Sequence, residues 1–417
     1  MSPLAGKLFY HCGYVQGLRK DSLWEYAMPE AEKIGGKVGQ SPSEFEADMQ
    51  DGDGIWLAMW DGDGAWPEMP EDGGAWSRTE HAGIRRNGGK MKYKMLQFTD
   101  LKVSGICLGT VKYGTDMAER DAWEQMDSFL DLGGNFLDTA HVYGDWTPGE
   151  RAKSEHVIGR FLKNRGNRSR VIISTKGAHP YMETMGESRV KPECIRRDLE
   201  ESLQALGTDE IDLYFLHRDD LSMPVEEILG VLEEERRKGK IRWYGCSNWT
   251  LPRLQEADRI AKAEGYSGFV CNQLMWSLAK INASGVADPT LVLMDQDTYR
   301  YHAESGKSAM AYTAAAQGYL AKRMTGAYIG DSLRAQYDNR ENEEIIGLLR
   351  EYRVSPGEFA LAWMMHHDFV SIPIVTFRTA LQLWEGIRST ELEMPEELVW
   401  GIREIKRKSR EENAGML

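Results

Sequence analysis

From residue 91 onward, short apolar runs alternate with amphipathic helical patterns, and this alternation limits the fold more than any other feature of the chain. The runs are VSGICLGT (103–110), NFLDTA (135–140), VIISTK (171–176), IDLYFLH (211–217), IRWYGCSN (241–248), FVCNQLMW (269–276), SAMAYTA (308–314) and SIPIV (371–375). Between them lie helical patterns such as ERDAWEQMDSFLDLG, SEHVIGRFLKN, KPECIRRDLEESLQALG, PVEEILGVLEEERRKG, TLPRLQEADRIAKAEG and NEEIIGLLREYR followed by SPGEFALAWMMHH. Strands that are apolar throughout are buried on both faces, and a single helical crossover between successive strands makes them parallel. Eight such units over about 300 residues predict an α/β fold, a closed (β/α)8 TIM barrel spanning 91–417. An open doubly wound sheet would be expected to carry GxGxxG after its first strand, and none is present.

The first 90 residues read differently. They hold 15 of the 42 glycines and 5 of the 13 tryptophans, and they end in the turn-rich stretch RRNGGK (85–90), so they are expected to form an N-terminal Gly/Trp-rich extension of short strands and turns joined by a linker. Asp-Gly-Asp-Gly occurs at 51–54 and 61–64, and turn chemistry accounts for it better than a calcium loop, since neither copy has the later glutamate such a loop needs. The tryptophans read as the core of this unit, with a sugar-stacking platform as the other reading. A chain starting at Met91 is expected to fold and bind its ligand, with exposed apolar area where the extension packs on the barrel or on a second subunit of a homo-oligomer.

Charge and hydropathy then remove whole classes of function. The net charge of −14 repels phosphate backbones and anionic lipid, so nucleic acid is excluded as a partner. With a mean hydropathy of −0.51, no apolar stretch near 18 residues and no secretory signal at the N-terminus, no membrane partner is expected. Five cysteines without a CxxC pair, or a histidine at metal spacing, predict no metal and a reducing, cytoplasmic setting.

In a barrel of this kind the chemistry sits where strands run into the following loops. Asp138 closes the second run, with Tyr143 just beyond it in DTAHVYG; Lys176 closes the third; His217 closes the fourth in LHRDD. A lysine beside a phenol stabilises phenolate and lowers the tyrosine pKa, a carboxylate holds the lysine charged, and an imidazole donates to a carbonyl oxygen or relays a proton. Taken singly, Asp138 could cap a helix, Tyr143 pack, Lys176 be solvated and His217 be structural. Together at successive strand ends they make a general-acid device for a carbonyl under reduction.

With these motifs in place, residues 91–417 resemble the aldo-keto reductase superfamily, from MKYKMLQFTDLKVS to IPIVTFRTALQLWE. The resemblance implies a catalytic tetrad of Asp138, Tyr143, Lys176 and His217, with Tyr143 giving a proton to an aldehyde or ketone and a reduced nicotinamide giving hydride. It also implies that Ser247 and Asn248 in GCSNW and Gln273 in CNQ hold the carboxamide, and that Tyr312 in AYTAAAQG stacks on the ring. Arg378, Gln382 and Glu385 keep the family's spacing for the adenosine end, where an arginine favours NADPH over NADH. Departures from the pattern are Ile374 and Gly386, where glycine and asparagine are expected, and Gln97 and Asp100, where the opening hairpin would carry glycines.

The expected activity is thus NADPH-dependent reduction of a small-molecule carbonyl, sugar-derived compounds among the candidates, by a cytoplasmic oxidoreductase. The rival reading is a weakly catalytic or non-catalytic nicotinamide-binding barrel serving redox sensing or assembly. Cofactor binding alone would place no demand on Lys176 together with Tyr143, so the complete tetrad favours catalysis. Tyr113, Trp146, Trp249 and Trp276 are candidates for a pocket wall, and the basic segment 318–340, with Lys322, Arg323 and Arg334, for a closing loop.

Overall fold

The computed structural model describes residues 90–414, so the readings made on residues 1–89 lie outside the described residues. An antiparallel hairpin, β1 (Tyr93–Met95) and β2 (Lys102–Ser104), precedes eight parallel strands: β3 (Cys107–Gly109), β4 (Phe136–Asp138), β5 (Ile172–Gly177), β6 (Ile211–Leu216), β7 (Ile241–Ser247), β8 (Cys271–Met275), β9 (Ser308–Tyr312) and β10 (Ser371–Val375). They follow one another round a closed barrel in chain order, and β10 pairs with β3 to close it. Each coincides with one of the eight apolar runs, β5 passing the end of its run by one residue, Gly177. All six residues of β6 are buried, as a strand covered on both faces requires.

The crossover helices are α1 (Glu119–Asp131), α2 (Lys153–Arg165), α3 (Pro192–Leu206), α4 (Val225–Arg237), α5 (Leu251–Glu264), α6 (Gln296–Ser305), the short α7 (Tyr319–Thr325) and α8 (Asp331–Tyr337), α9 (Arg340–Glu351) and α10 (Pro356–Met364); α11 (Ala380–Ser389) and α12 (Glu396–Ala414) follow the last strand. Local chemistry sets their ends. Proline opens α3 and α10, where a missing N–H costs nothing, while Asp295 and Asn339 cap α6 and α9 by accepting from the N–H three residues on at 2.7 and 2.9 Å. The helix α6 is absent from the sequence reading because it buries only Thr298 and His302 and therefore shows no apolar stripe.

The hairpin closes the end of the barrel where the strands begin. Leu96, Leu101 and Val103 pack on the interior residues Cys107, Phe136, Leu213, Cys271, Met310 and Ile372. One of the two departures in the hairpin serves that closure: Asp100 accepts from Arg242 and from the Trp243 indole, each at 2.7 Å, whereas Gln97 donates to Ser308 Oγ at 3.0 Å only through its backbone N–H, a bond that any residue but proline would make. An open groove of about 1050 Å³ lies at this same end, lined by residues such as Arg168, Asp212 and Arg242, away from the strand ends that carry the chemistry. Among the described residues no helix is long and apolar enough to cross a membrane, and Cys107, Cys194, Cys246 and Cys271 are free thiols.

Candidate active site

Asp138 is the last residue of β4, Lys176 lies near the end of β5, and His217 follows β6 directly, so the barrel's own register brings the three together. Tyr143 enters from the turn after β4. Lys176 Nζ sits 2.6 Å from Asp138 Oδ2, 2.7 Å from the Thr139 carbonyl and 3.3 Å from Tyr143 Oη, with lysine and aspartate both buried. The Tyr143 and His217 rings meet edge to face with centroids 5.9 Å apart. All four predicted residues are therefore in one cluster.

Burial pushes the Tyr143 pKa up by more than Lys176 pulls it down. This corrects the expectation of a lowered phenol: without ligand Tyr143 keeps its proton, the state a donor needs. Burial also works against the Lys176 charge, but Asp138 and Tyr143 outweigh it and raise the ammonium pKa. His217 is held well below its usual range, chiefly by burial and then by His179 and Lys176, so its ring is neutral at pH 7. Its Nδ1 is buried with no hydrogen-bond partner. An orphaned acceptor is tolerated better than an orphaned N–H, so we place the ring proton on Nε2, where it can be donated.

The groups proposed for the nicotinamide end lie at the next strand ends. Ser247 and Asn248 close β7, Gln273 lies in β8 and Tyr312 ends β9. Asn248 adopts a left-handed conformation (φ 61°); its Oδ1 accepts from Tyr312 Oη at 2.6 Å and from the Val292 N–H at 3.1 Å, and its Nδ2 donates to Ser247 Oγ at 3.1 Å. Gln273 Nε2 donates to Asp138 Oδ1 at 3.0 Å, alongside Ser174 Oγ at 2.8 Å. These amides are thus partly engaged in holding one another and the tetrad. Asn248 Nδ2 spends its second hydrogen on the His217 carbonyl at 3.3 Å, while among the described residues Gln273 Oε1 accepts no hydrogen bond, an acceptor that matches the N–H of a carboxamide.

The three residues predicted for the adenosine end lie along the start of α11. Arg378 is exposed at the approach to α11 and, among the described residues, makes no ion pair. Gln382 turns back to accept from the Arg378 N–H at 2.8 Å, while the Thr379 side chain accepts from the Gln382 N–H at 3.2 Å, a reciprocal cap that fixes the start of the helix. Glu385 is half-buried one turn on. The glycine at 386 has a steric reason, since a Cβ there would stand 2.5 Å from the Phe377 ring.

Other candidates resolve into packing. Tyr113 and Trp249 are fully buried, Tyr113 donating to Gln125 at 3.0 Å and Trp249 stacking edge-on against Phe269, so neither walls a pocket. Trp276 belongs to an aromatic cluster with Tyr299, His367 and Phe369. Trp146 alone of the four is well exposed, set edge-on to Tyr143 with centroids 6.4 Å apart. In the segment 318–340, Arg323 pairs with Glu343, Arg334 with Asp338, and Lys322 reaches the Gln317 carbonyl, so these charges are used locally.

Two polar residues beside the tetrad escaped the sequence reading. The His179 ring lies 4.8 Å from that of His217 and donates from Nδ1 to the Pro180 carbonyl at 2.7 Å; burial brings its pKa down to about 4. Arg218, the residue after His217, pairs with Asp288 at 3.0 Å. Both stand just past strand ends, the signal that found the tetrad. His141, Asp198 and Glu201 also cluster, but His141 hydrogen-bonds Glu201 Oε2 at 2.8 Å and both Asp198 oxygens are held by Arg189, one of them also by the Ala178 N–H.

A closed barrel with a Tyr, Lys, Asp and His cluster at its strand ends defines a (β/α)8 oxidoreductase. The Aldo/keto reductase family model matches residues 105–407, and the chain belongs to that family. It is similar to the uncharacterized oxidoreductase YrpG of Bacillus subtilis, 31% identical over 329 residues that make up 76% of this chain and 96% of that protein. Norsolorinic acid reductase stcV of Emericella nidulans is 26% identical over 323 residues, 73% of this chain and 78% of its own. Protein tas of Escherichia coli is 26% identical over 357 residues, 76% and 97% of the two chains.

Proposed function

We propose that the protein reduces an aldehyde or ketone with NADPH, Tyr143 acting as the general acid. The observation that carries this reading is the reach of Lys176 Nζ to both Asp138 and Tyr143 in a buried cluster, since an ammonium held by a carboxylate and set against a phenol oxygen is placed to stabilise a phenolate. When bound, the nicotinamide supplies hydride to the carbonyl carbon. Tyr143 Oη gives its proton to the carbonyl oxygen, and Lys176 stabilises the phenolate that this leaves. His217 Nε2–H donates to the same oxygen and orients it. Gln273 Oε1 holds the carboxamide together with the Asn248 amide, which exchanges its long bond to the His217 carbonyl for the ligand, Tyr312 lies against the ring, and Arg378 takes the 2′-phosphate that distinguishes NADPH from NADH.

Relatives named as reductases support the reductive direction. Free thiols in the barrel suit a cytoplasmic setting, and a domain boundary at Met91 suits a barrel whose first hairpin starts at Tyr93. The test is loss of absorbance at 340 nm with NADPH or NADH against sugars, sugar lactones, ketosteroids and aromatic aldehydes. Turnover of at least one class, faster with NADPH, is expected. A protein that binds NADPH yet oxidises it with none of them would fit the non-catalytic alternative instead.

A further inference from the structure

Four cationic or cation-capable groups among the described residues stand beside the tetrad tyrosine and histidine, namely Lys176, His179, His217 and Arg218, and the first three present no charge to a substrate. Lys176 spends its charge on Asp138 inside the barrel, and the His179 and His217 rings are neutral. Arg218 is different. Its Nη1 donates to the His217 carbonyl at 3.1 Å and its Nη2 to Asp288 Oδ2 at 3.0 Å, which places a guanidinium immediately beside the tetrad histidine with its side chain still 15% exposed.

The partner of Arg218 is built to be exchanged. Asp288 is 35% exposed, and its other oxygen already accepts from the Thr290 N–H at 2.9 Å and the Thr290 hydroxyl at 2.6 Å. Losing Arg218 would leave that carboxylate held by Thr290 and open to water, so no buried charge would be orphaned. Arg218 would keep its bond to the His217 carbonyl and so stay in place.

We propose that Arg218 is a specificity residue that binds an anionic group, carboxylate or phosphate, carried by the carbonyl substrate, and that Asp288 is the resident counterion it displaces. This rests on the reductase reading for the identity of the ligand, but the anion site itself can be measured without turnover. Full-length protein is titrated calorimetrically with succinate and, separately, with inorganic phosphate, which tells the two sources apart. The KM for succinic semialdehyde is compared with that for butanal, and the KM for glyceraldehyde 3-phosphate with that for glyceraldehyde.

At least one anion should bind, at least ten-fold more weakly to Arg218→Gln and more tightly to Asp288→Asn, where the internal competitor is neutral. The preference for the charged over the neutral aldehyde, read in KM, should fall at least ten-fold in Arg218→Gln and be partly restored in Arg218→Lys. Equal anion affinity in wild type and Arg218→Gln overturns the proposal, as does failure of both anions to bind the wild type. If Arg218→Gln does not fold, unchanged or weaker anion binding by Asp288→Asn overturns it alone. Anion binding that follows Arg218 with no aldehyde reduced would leave this site standing and remove the reductase reading.

Discussion

Gln273 donates its side-chain amide to Asp138 across the barrel at 3.0 Å, joining a residue proposed for the carboxamide to one proposed for the tetrad. Asp138 Oδ2 is taken by Lys176, so the Gln273 bond helps set the plane of the carboxylate that holds the lysine. Replacing Gln273 with leucine should therefore lower kcat at saturating cofactor as well as weaken the cofactor. A lost hydrogen bond to a charged group is worth about 1.5–3 kcal/mol. Steady-state kinetics at several cofactor concentrations separates the two effects; a change in cofactor KM alone would show that the link to Asp138 carries nothing.

Gly386→Asn, which restores the residue expected from the family pattern, should destabilise the protein. The new Cβ would meet Phe377 at 2.5 Å, and Phe377 is buried, so the ring has little room to move. Overpacking of this kind costs about 1–3 kcal/mol. Urea unfolding of wild type and variant should show that loss with no gain in NADPH affinity. A variant of unchanged stability that binds NADPH more tightly would contradict the packing account.

Much of this architecture was legible in the sequence because its physical causes are local. A strand buried on both faces must be apolar along its length, which is why β6 and β9 stood out as IDLYFLH and SAMAYTA. The tetrad was legible because a barrel places its chemistry at strand ends, a rule that needs only the strand boundaries. What joins residues far apart in the chain was not: the Gln273 bond to Asp138 spans 135 positions and the Arg218 pair with Asp288 spans 70. The direction of the Tyr143 shift was missed for the same reason, since burial depth is set by packing and here exceeds the pull of Lys176.

Arg378→Ala should weaken NADPH far more than NADH, because only the former carries the phosphate a guanidinium can grip. The exposed side chain makes no ion pair among the described residues, so its removal should leave stability nearly unchanged. The expected loss in NADPH binding is about 1.5–3 kcal/mol. Fluorescence titration with both cofactors measures it, and equal weakening of the two would make Arg378 structural.

His302 supplies a pH-dependent term. The ring is fully buried, Nδ1 donates to the Lys307 carbonyl at 2.9 Å, Nε2 has no partner, and burial brings its pKa down to about 4. Below its unfolded value near 6.5, the unfolded chain binds a proton that the native ring refuses, so stability present above pH 6.5 is lost as pH falls toward 4. The stability difference between wild type and His302→Leu should shift by about 2 kcal/mol in favour of the variant between pH 7 and pH 5. Chemical denaturation at the two pH values checks this. Comparing the pair cancels Glu155, whose carboxyl is raised by burial and acts the opposite way. A difference that does not change with pH would mean that His302 titrates alike in both states.

The central claim is that Tyr143, placed 3.3 Å from Lys176 Nζ, gives the proton. The decisive measurement is turnover of Tyr143→Phe on a confirmed substrate, with NADPH affinity measured in parallel. General acid catalysis contributes about 10²–10⁴ in rate. Turnover should fall by that factor while NADPH binds as in the wild type, because the phenol does not touch the adenosine end; a variant that keeps half or more of the wild-type turnover would contradict the assignment.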